Sequence, residues 1–169
     1  MPKVKSSARD AIRSLCPTAA NGPGDGWAKV VAMSVGLTVR ELCHSYPTSN
    51  GPLLVLDGVS LDVPAGGYAV VTGASGAGKT TLLAILGGLE RPGRGRVEVG
   101  GQDITRLSGN ELAAYRRSTV GFVFQHFGLL DALTAAENVE LATTLAGTPR
   151  GRRRARAAEL LAAVGLAGR

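Results

Sequence analysis

Eight consecutive residues constrain this chain more than any others: Gly73-Ala74-Ser75-Gly76-Ala77-Gly78-Lys79-Thr80. They fit the pattern G-x-x-x-x-G-K-[ST] without substitution. Glycines at these places let backbone N–H groups turn inward around phosphate oxygens, where a Cβ would collide or forbid positive φ. Lys79 supplies a point charge toward the β- and γ-phosphates, and the Thr80 hydroxyl is a candidate Mg2+ ligand. A helix beginning near Lys79 aims the positive end of its dipole at the same anion. The bland alternative is an ordinary Gly-rich turn. Against it stand the flanks: Tyr68-Ala69-Val70-Val71-Thr72 reads as a short, largely buried strand, and Leu82, Leu83, Ile85 and Leu86 would seat a helix on a sheet. The loop with these flanks predicts a nucleotide-binding α/β domain.

The surrounding pattern agrees with such a domain. Leu37 to Leu42 and Leu53 to Val63 read as strands, separated by a loop from Pro47 to Pro52. Arg96 to Val99 followed by Gly100-Gly101 is a strand ending in a turn, and Thr119 to Phe124 is a last strand candidate. Ser108-Gly109-Asn110-Glu111 and Thr134-Ala135-Ala136-Glu137 are capping boxes, which place helix starts near both. After Pro149 an Arg- and Ala-rich helix is expected over 150–164, with Leu160, Leu161 and Val164 packing inward. Residues 1–33 read as a disordered extension that ends in the turn-rich run Asn21 to Gly26, with a short amphipathic helix over Ala8, Ala11, Ile12 and Leu15 as the alternative. No apolar stretch of signal-peptide length lies there, and Met33 is a candidate true start.

Charge and composition narrow the function classes. The net charge of +6 divides into +3 for residues 1–33, −2 for the middle and +5 for residues 150–169. The basicity lies at the ends, and the Arg150 to Arg156 run reads first as a solvated helix face. Seven aromatic residues offer few stacking platforms, so no nucleic-acid partner is expected. Two cysteines without a Cys-x-x-Cys pair and two histidines argue against a disulfide scaffold or a structural zinc site, and fit a reducing compartment.

Beyond the loop itself, the residues from Leu37 to Arg169 resemble the ATP-binding subunit of an ABC transporter. The loop reads Gly-x-Ser-Gly-x-Gly-Lys-Thr-Thr, with Thr81 as the family's second hydroxyl. Tyr46, in His44-Ser45-Tyr46, stands where the family carries an aromatic that stacks on adenine; a half-buried strand-edge residue is the alternative. Val120-Gly121-Phe122-Val123-Phe124-Gln125 is similar to the strand and glutamine of the Q-loop. The resemblance implies that Gln125 reaches Mg2+ and the attacking water; a plain loop glutamine is the alternative. Leu129 to Val139 continues the likeness. Arg91-Pro92-Gly93, Gly101-Gln102-Asp103-Ile104 and Leu107 to Arg117 look most like the lipoprotein-release and macrolide-exporter branch. The pattern is departed from at Ala77, often Ser, at Asp131, commonly Pro, and at His126, a variable position.

The resemblance implies a P-loop NTPase core of the ABC ATPase type with an antiparallel β subdomain, and a helical subdomain that starts near residue 126 and is cut short. It implies ATP and Mg2+ as cofactors, a transmembrane permease subunit and a second ATP-binding subunit as partners, and a cytoplasmic place on the inner face of the membrane. Three segments look like other family motifs and are not taken as such. Leu53 to Asp57 resembles a Walker B strand but precedes the phosphate loop, so a core strand ending in a turn is expected. Leu129-Leu130-Asp131 follows Gln125 too closely, and Leu107-Ser108-Gly109 lacks the continuation of the ABC signature.

The signature itself, a Walker B acid pair and a switch histidine do not occur after Gln125 within the 169 residues. The expectation is therefore an N-terminal fragment that supplies the phosphate-loop half of an ATP site, with weak ATP binding, negligible turnover of its own and incompletely covered apolar surface around Val70, Val71, Phe122 and Phe124. A non-hydrolysing ATP-binding or regulatory module and a P-loop phosphotransferase using Asp57 or Asp131 are the other readings.

Overall fold

The β-branched and apolar residues after Gly36 build a long antiparallel hairpin from strands β2 (Leu37–Thr48) and β3 (Gly51–Val63). The computed structural model describes residues 29–32, 34–124 and 128–167. Pairing runs from Leu37 opposite Val63 to Thr48 opposite Gly51, so the expected Pro47 to Pro52 loop is in fact the paired end of the ribbon. Proline is tolerated there because β5 (Arg94–Val99) pairs with β2 only as far as Cys43 opposite Arg94. Beyond that point the outer edge of β2 has no ladder bond for Pro47 to lose. The short β6 (Gln102–Asp103) completes a four-stranded antiparallel sheet in the order β3-β2-β5-β6.

Register slips between Val39 and Ser45 divide β2 into two stretches. Glu41 takes φ 48 there, and its N–H donates to Ser60 Oγ at 3.0 Å. The bulged stretch also absorbs Asp57 and Gly58, where the strand continues instead of turning; Gly58 N–H donates to Cys43 Sγ at 3.1 Å. The core lies against the regular half: Leu37, Val39, Leu42, Val97 and Val99 are buried together with Leu56 and Val63. Each such side chain contributes roughly 1.5–3 kcal/mol through burial.

Helix α1 (Lys79–Leu86) buries Leu82, Ile85 and Leu86, one stripe of its surface. A single-turn 3-10 helix (Ile104–Arg106) leads to α2 (Gly109–Ser118), which buries Leu112 and Tyr115. Its expected capping box is present: Ser108 N–H donates to Glu111 Oε2 at 2.7 Å, and Glu111 N–H to Ser108 Oγ at 3.4 Å.

Strand β4 (Tyr68–Val71) pairs antiparallel with β1 (Lys29–Ala32), from Lys29 opposite Val71 to Ala32 opposite Tyr68. Residues 29–32 fall inside the stretch expected to be a disordered extension, and their strand corrects that boundary. The unpaired amides of β4 supply the reason, since a strand edge templates pairing. The remainder of 1–28 and Met33 lie outside the described residues. Strand β4 is less buried than expected, with Val70 at 40% exposure.

The chain divides after Arg116 into two compact units. In the second, α3 (Ala135–Leu145) starts with the expected capping box: Thr134 Oγ1 accepts from Glu137 N–H at 3.3 Å, and Glu137 Oε2 accepts from Thr134 N–H at 2.8 Å. Asn138 fastens the preceding loop, donating to the carbonyls of Leu130, Leu133 and Thr134 at 3.1 Å each. Helix α4 (Arg150–Ala163) packs on α3, but the inward residue is Ala157. Leu160 and Val164, expected inside, are exposed, because packing on one neighbouring helix covers only a narrow stripe. Thr119 to Phe124 forms no strand: no described strand pairs with it, and Phe122 and Phe124 stack on each other at 5.5 Å. Of the residues expected to be uncovered, Val70 and Phe124 are exposed, whereas Val71 and Phe122 are half-buried.

Candidate functional site

The glycine-rich loop leaves the end of β4 and enters α1 through two left-handed glycines, Gly76 at φ 80 and Gly78 at φ 78. Gly78 is the more constrained. A Cβ on it would lie 2.8 Å from the Val55 carbonyl oxygen and 2.9 Å from Leu56 Cδ2, so β3 is packed directly against the loop. Around Gly76 a Cβ would meet nothing within 4 Å. A turn closed by Ala77 N–H donating to Ala74 O at 3.2 Å shapes the middle of the loop.

Gly78 is also the N-cap of α1, without a side-chain cap and with no acidic residue in the first turn. The positive end of the helix is thus uncompensated by any carboxylate of its own first turn. Lys79 reaches back across the loop, and its Nζ donates to Gly73 O at 2.8 Å and Ala74 O at 2.7 Å. The cation is held at the mouth of the loop by neutral carbonyl dipoles. Ser75, Ala77 and Thr80 are exposed on the same segment, while Thr81 is buried one residue beyond Thr80. Glycine freedom, an uncapped helix start and a tethered ammonium form a cradle that suits a polyphosphate.

Tyr46 joins this cradle from the hairpin. Its hydroxyl donates to Glu90 Oε2 at 2.6 Å and lies 3.3 Å from Thr81 Oγ1. Because the phenolic proton goes to Glu90, the Thr81 hydroxyl is the donor in the second contact. The Glu90 carboxylate holds the phenol above its ordinary value, with Thr81 pulling the other way. His44 meets Tyr46 edge-on, ring centroids 4.7 Å apart, and its Nε2 is 3.7 Å from Glu90 Oε2. Both imidazole nitrogens are buried without a hydrogen-bond partner.

The turn that carries Glu90 is braced from α2. Gly88, at φ 69, ends α1; Leu89 and Glu90 N–H groups both donate to Ala84 O. Tyr115 O–H donates to Leu86 O at 2.8 Å, and Arg116 Nη1 to Gly88 O at 2.7 Å. Burial pushes the Tyr115 hydroxyl up to about 12.

The structure therefore brings Tyr46 and Thr81 together at the end of the loop Gly73, Ala74, Ser75, Gly76, Ala77, Gly78 and the helix start Lys79, Thr80. Gln125 lies outside the described residues. Glu90, His44, Tyr115 and Arg116 escape sequence reasoning. No local pattern marks Glu90, which meets Tyr46 across 44 positions; only its place in the turn after an apolar helix was available. Among the described residues no group of three His, Cys, Asp or Glu is placed to hold a metal ion, and no helix is long and apolar enough to cross a membrane.

Residues 56–169 match the family described as ABC transporter, more than half of the chain. The chain belongs to the ABC transporter ATP-binding family. Its relatives within that family include the lipoprotein-releasing system ATP-binding protein LolD 1 of Rhodopirellula baltica, 49% identical over 79% of this chain and 58% of that protein. A second is the macrolide export ATP-binding/permease protein MacB 1/2 of Paracoccus denitrificans, 44% identical over 79% of this chain and 20% of that protein. The chain thus spans little more than half the length of the first relative and a fifth of the second. These names agree with the branch expected from Arg91 to Gly93 and Gly101 to Arg117. Among solved structures, the ATP-binding cassette MJ0796, captured as a dimer in a post-hydrolysis state with ADP and Pi, matches with TM-score 0.63 and 31% identity. That match covers 75% of this chain and 56% of the cassette. The expected α/β P-loop fold with an antiparallel β subdomain is the fold of this family.

Proposed function

We propose that this chain binds ATP with Mg2+, as the phosphate-loop part of an ATPase that energises an ABC exporter or lipoprotein-release system. The observation that carries the reading is the pairing of an uncapped α1 N-terminus with Lys79 held between the Gly73 and Ala74 carbonyls. Incoming β- and γ-phosphates exchange those carbonyls for charged oxygens, and the exposed loop amides complete the cradle. Bound Mg2+ supplies charge neutralisation of the triphosphate, and Thr80 is the residue that would hold it. Tyr46 offers a ring face for adenine, its hydroxyl end fixed beside Thr81.

Hydrolysis, a role for Gln125 at the Mg2+ and attacking water, pairing with a second ATP-binding subunit and docking on a transmembrane permease belong to the same proposal. They are supported by the family and by the names of its members. A cytoplasmic site on the inner face of the membrane follows from such docking. With β1 at its edge we take the domain from residue 29, and its helical part from near residue 126.

Titration of the purified chain with Mg2+-ATP in a calorimeter tests the reading. Saturable binding is expected, weakened about 10- to 100-fold in Lys79→Ala, the size of a lost charged hydrogen bond. Binding that is indifferent to Lys79→Ala, with the folded state intact by circular dichroism, would refute the site.

A further inference from the structure

Three side chains meet around the phenol of Tyr46 on β2: His44 on the same strand, Thr81 on α1, and Glu90 on the turn that follows α1. We propose that Glu90 is a positioning residue for nucleotide recognition: by accepting the Tyr46 hydroxyl's hydrogen bond it fixes the ring at the height and tilt needed for the base. The inference rests on the reading of Tyr46 as the base-stacking aromatic, and deepens it by naming what aims that ring.

The need for such a device follows from the hairpin. Tyr46 lies beyond the last β2 residue paired with β5, on the part of the ribbon outside the four-stranded core. An aromatic on a two-stranded ribbon is free to swing, and stacking loses its value when the ring must first be ordered. Three contacts remove that freedom. Glu90 Oε2 accepts a hydrogen bond from the phenol at 2.6 Å, Thr81 Oγ1 stands at 3.3 Å, and the His44 ring closes the flank edge-on. Glu90 is itself immobilised, because its turn is tied to Ala84 O and braced by Tyr115 and Arg116 from α2. The anchor is attached to the C-terminal end of the same helix whose N-terminus faces the phosphates. The spacing between base platform and phosphate cradle is thereby set through one rigid element, α1.

The test compares Mg2+-ATP with inorganic tripolyphosphate, which has the phosphates but no base, on the full chain and its Glu90→Ala, Glu90→Gln and Tyr46→Phe variants. Glu90→Ala and Tyr46→Phe should each weaken ATP about three- to tenfold, as expected for loss of one ordinary hydrogen bond that holds a contact in place. The double variant should be no weaker than either single one, since both remove the same link. Tripolyphosphate affinity should stay unchanged in all of them, and Glu90→Gln, which keeps an acceptor oxygen, should recover most of the ATP affinity. Unchanged ATP binding in Tyr46→Phe, additive losses, or equal losses for tripolyphosphate would each overturn the positioning role. Tyr46→Ala separates the two levels. If it leaves ATP affinity intact, the base contact falls and the positioning role with it. If it weakens ATP while Glu90→Ala and Tyr46→Phe do not, the base contact stands and Glu90 has no part in it.

Discussion

Replacing Gly78 by alanine measures how tightly the hairpin is seated on the phosphate loop. The backbone there is left-handed, φ 78 and ψ 4, which costs an L-residue about 1–2 kcal/mol. The new Cβ would also stand 2.8 Å from the Val55 carbonyl oxygen and 2.9 Å from Leu56 Cδ2, inside contact distance of backbone and of a buried side chain. Overpacking of that kind adds about 1–3 kcal/mol. Gly78→Ala is therefore expected to lose about 2–5 kcal/mol in total. Gly76→Ala is the internal control, because φ is 80 but a Cβ there meets nothing within 4 Å. It should lose only the conformational part, about 1–2 kcal/mol. Urea titrations followed by circular dichroism, with midpoint and slope fitted separately, give the two values. Equal losses in the two variants would refute the packing of Val55 and Leu56 on the loop.

Two further perturbations are read through the pH dependence of stability. Tyr115 donates to Leu86 O, so Tyr115→Phe should lose about 1 kcal/mol at neutral pH. Its folded hydroxyl is raised from 10.0 to about 12, so its contribution is complete below pH 10 and fades as the pH climbs toward 12; urea midpoints at pH 9 and pH 11 should converge for parent and variant. At Asp103 burial acts upward, yet hydrogen bonds from Thr105 and the guanidinium groups of Arg96 and Arg106 bring the carboxyl below its ordinary value. The stability it supplies is present above the ordinary carboxylate range and lost as pH falls through the folded value. Asp103→Asn should thus be less stable than the parent at pH 7 and equal to it in strong acid, and a gap that persists in acid would contradict the ion pairs at 3.0 and 3.2 Å.

What could be read from the residues was whatever their neighbours in sequence determine. The loop from Gly73 to Thr80, the helix after it and the capping boxes at Ser108 and Thr134 are local, and the structure contains each element. Thr119 to Phe124 shows the limit: β-branched and aromatic residues describe a segment able to pair, whereas pairing needs a neighbouring edge. The reverse holds at Lys29–Ala32, where a stretch after a turn-rich run finds the edge of β4. At the site, Tyr46 is named only by the resemblance to the family, while Thr81 and Glu90 lie 35 and 44 positions away, and only the folded hairpin brings them to its hydroxyl. Periodicity puts Leu160 and Val164 on an inward stripe, whereas what covers a helix depends on how many neighbours it has.

The tether on Lys79 has a consequence for discrimination among anions. An ammonium already held by two carbonyl oxygens must give up both contacts to meet an anion, and a single small monovalent ion returns only one. Only a ligand that engages the lysine, the loop amides and the helix start together recovers more than it displaces. On the proposed reading, the resting lysine sets a threshold that a chain of phosphates crosses more easily than a single small anion.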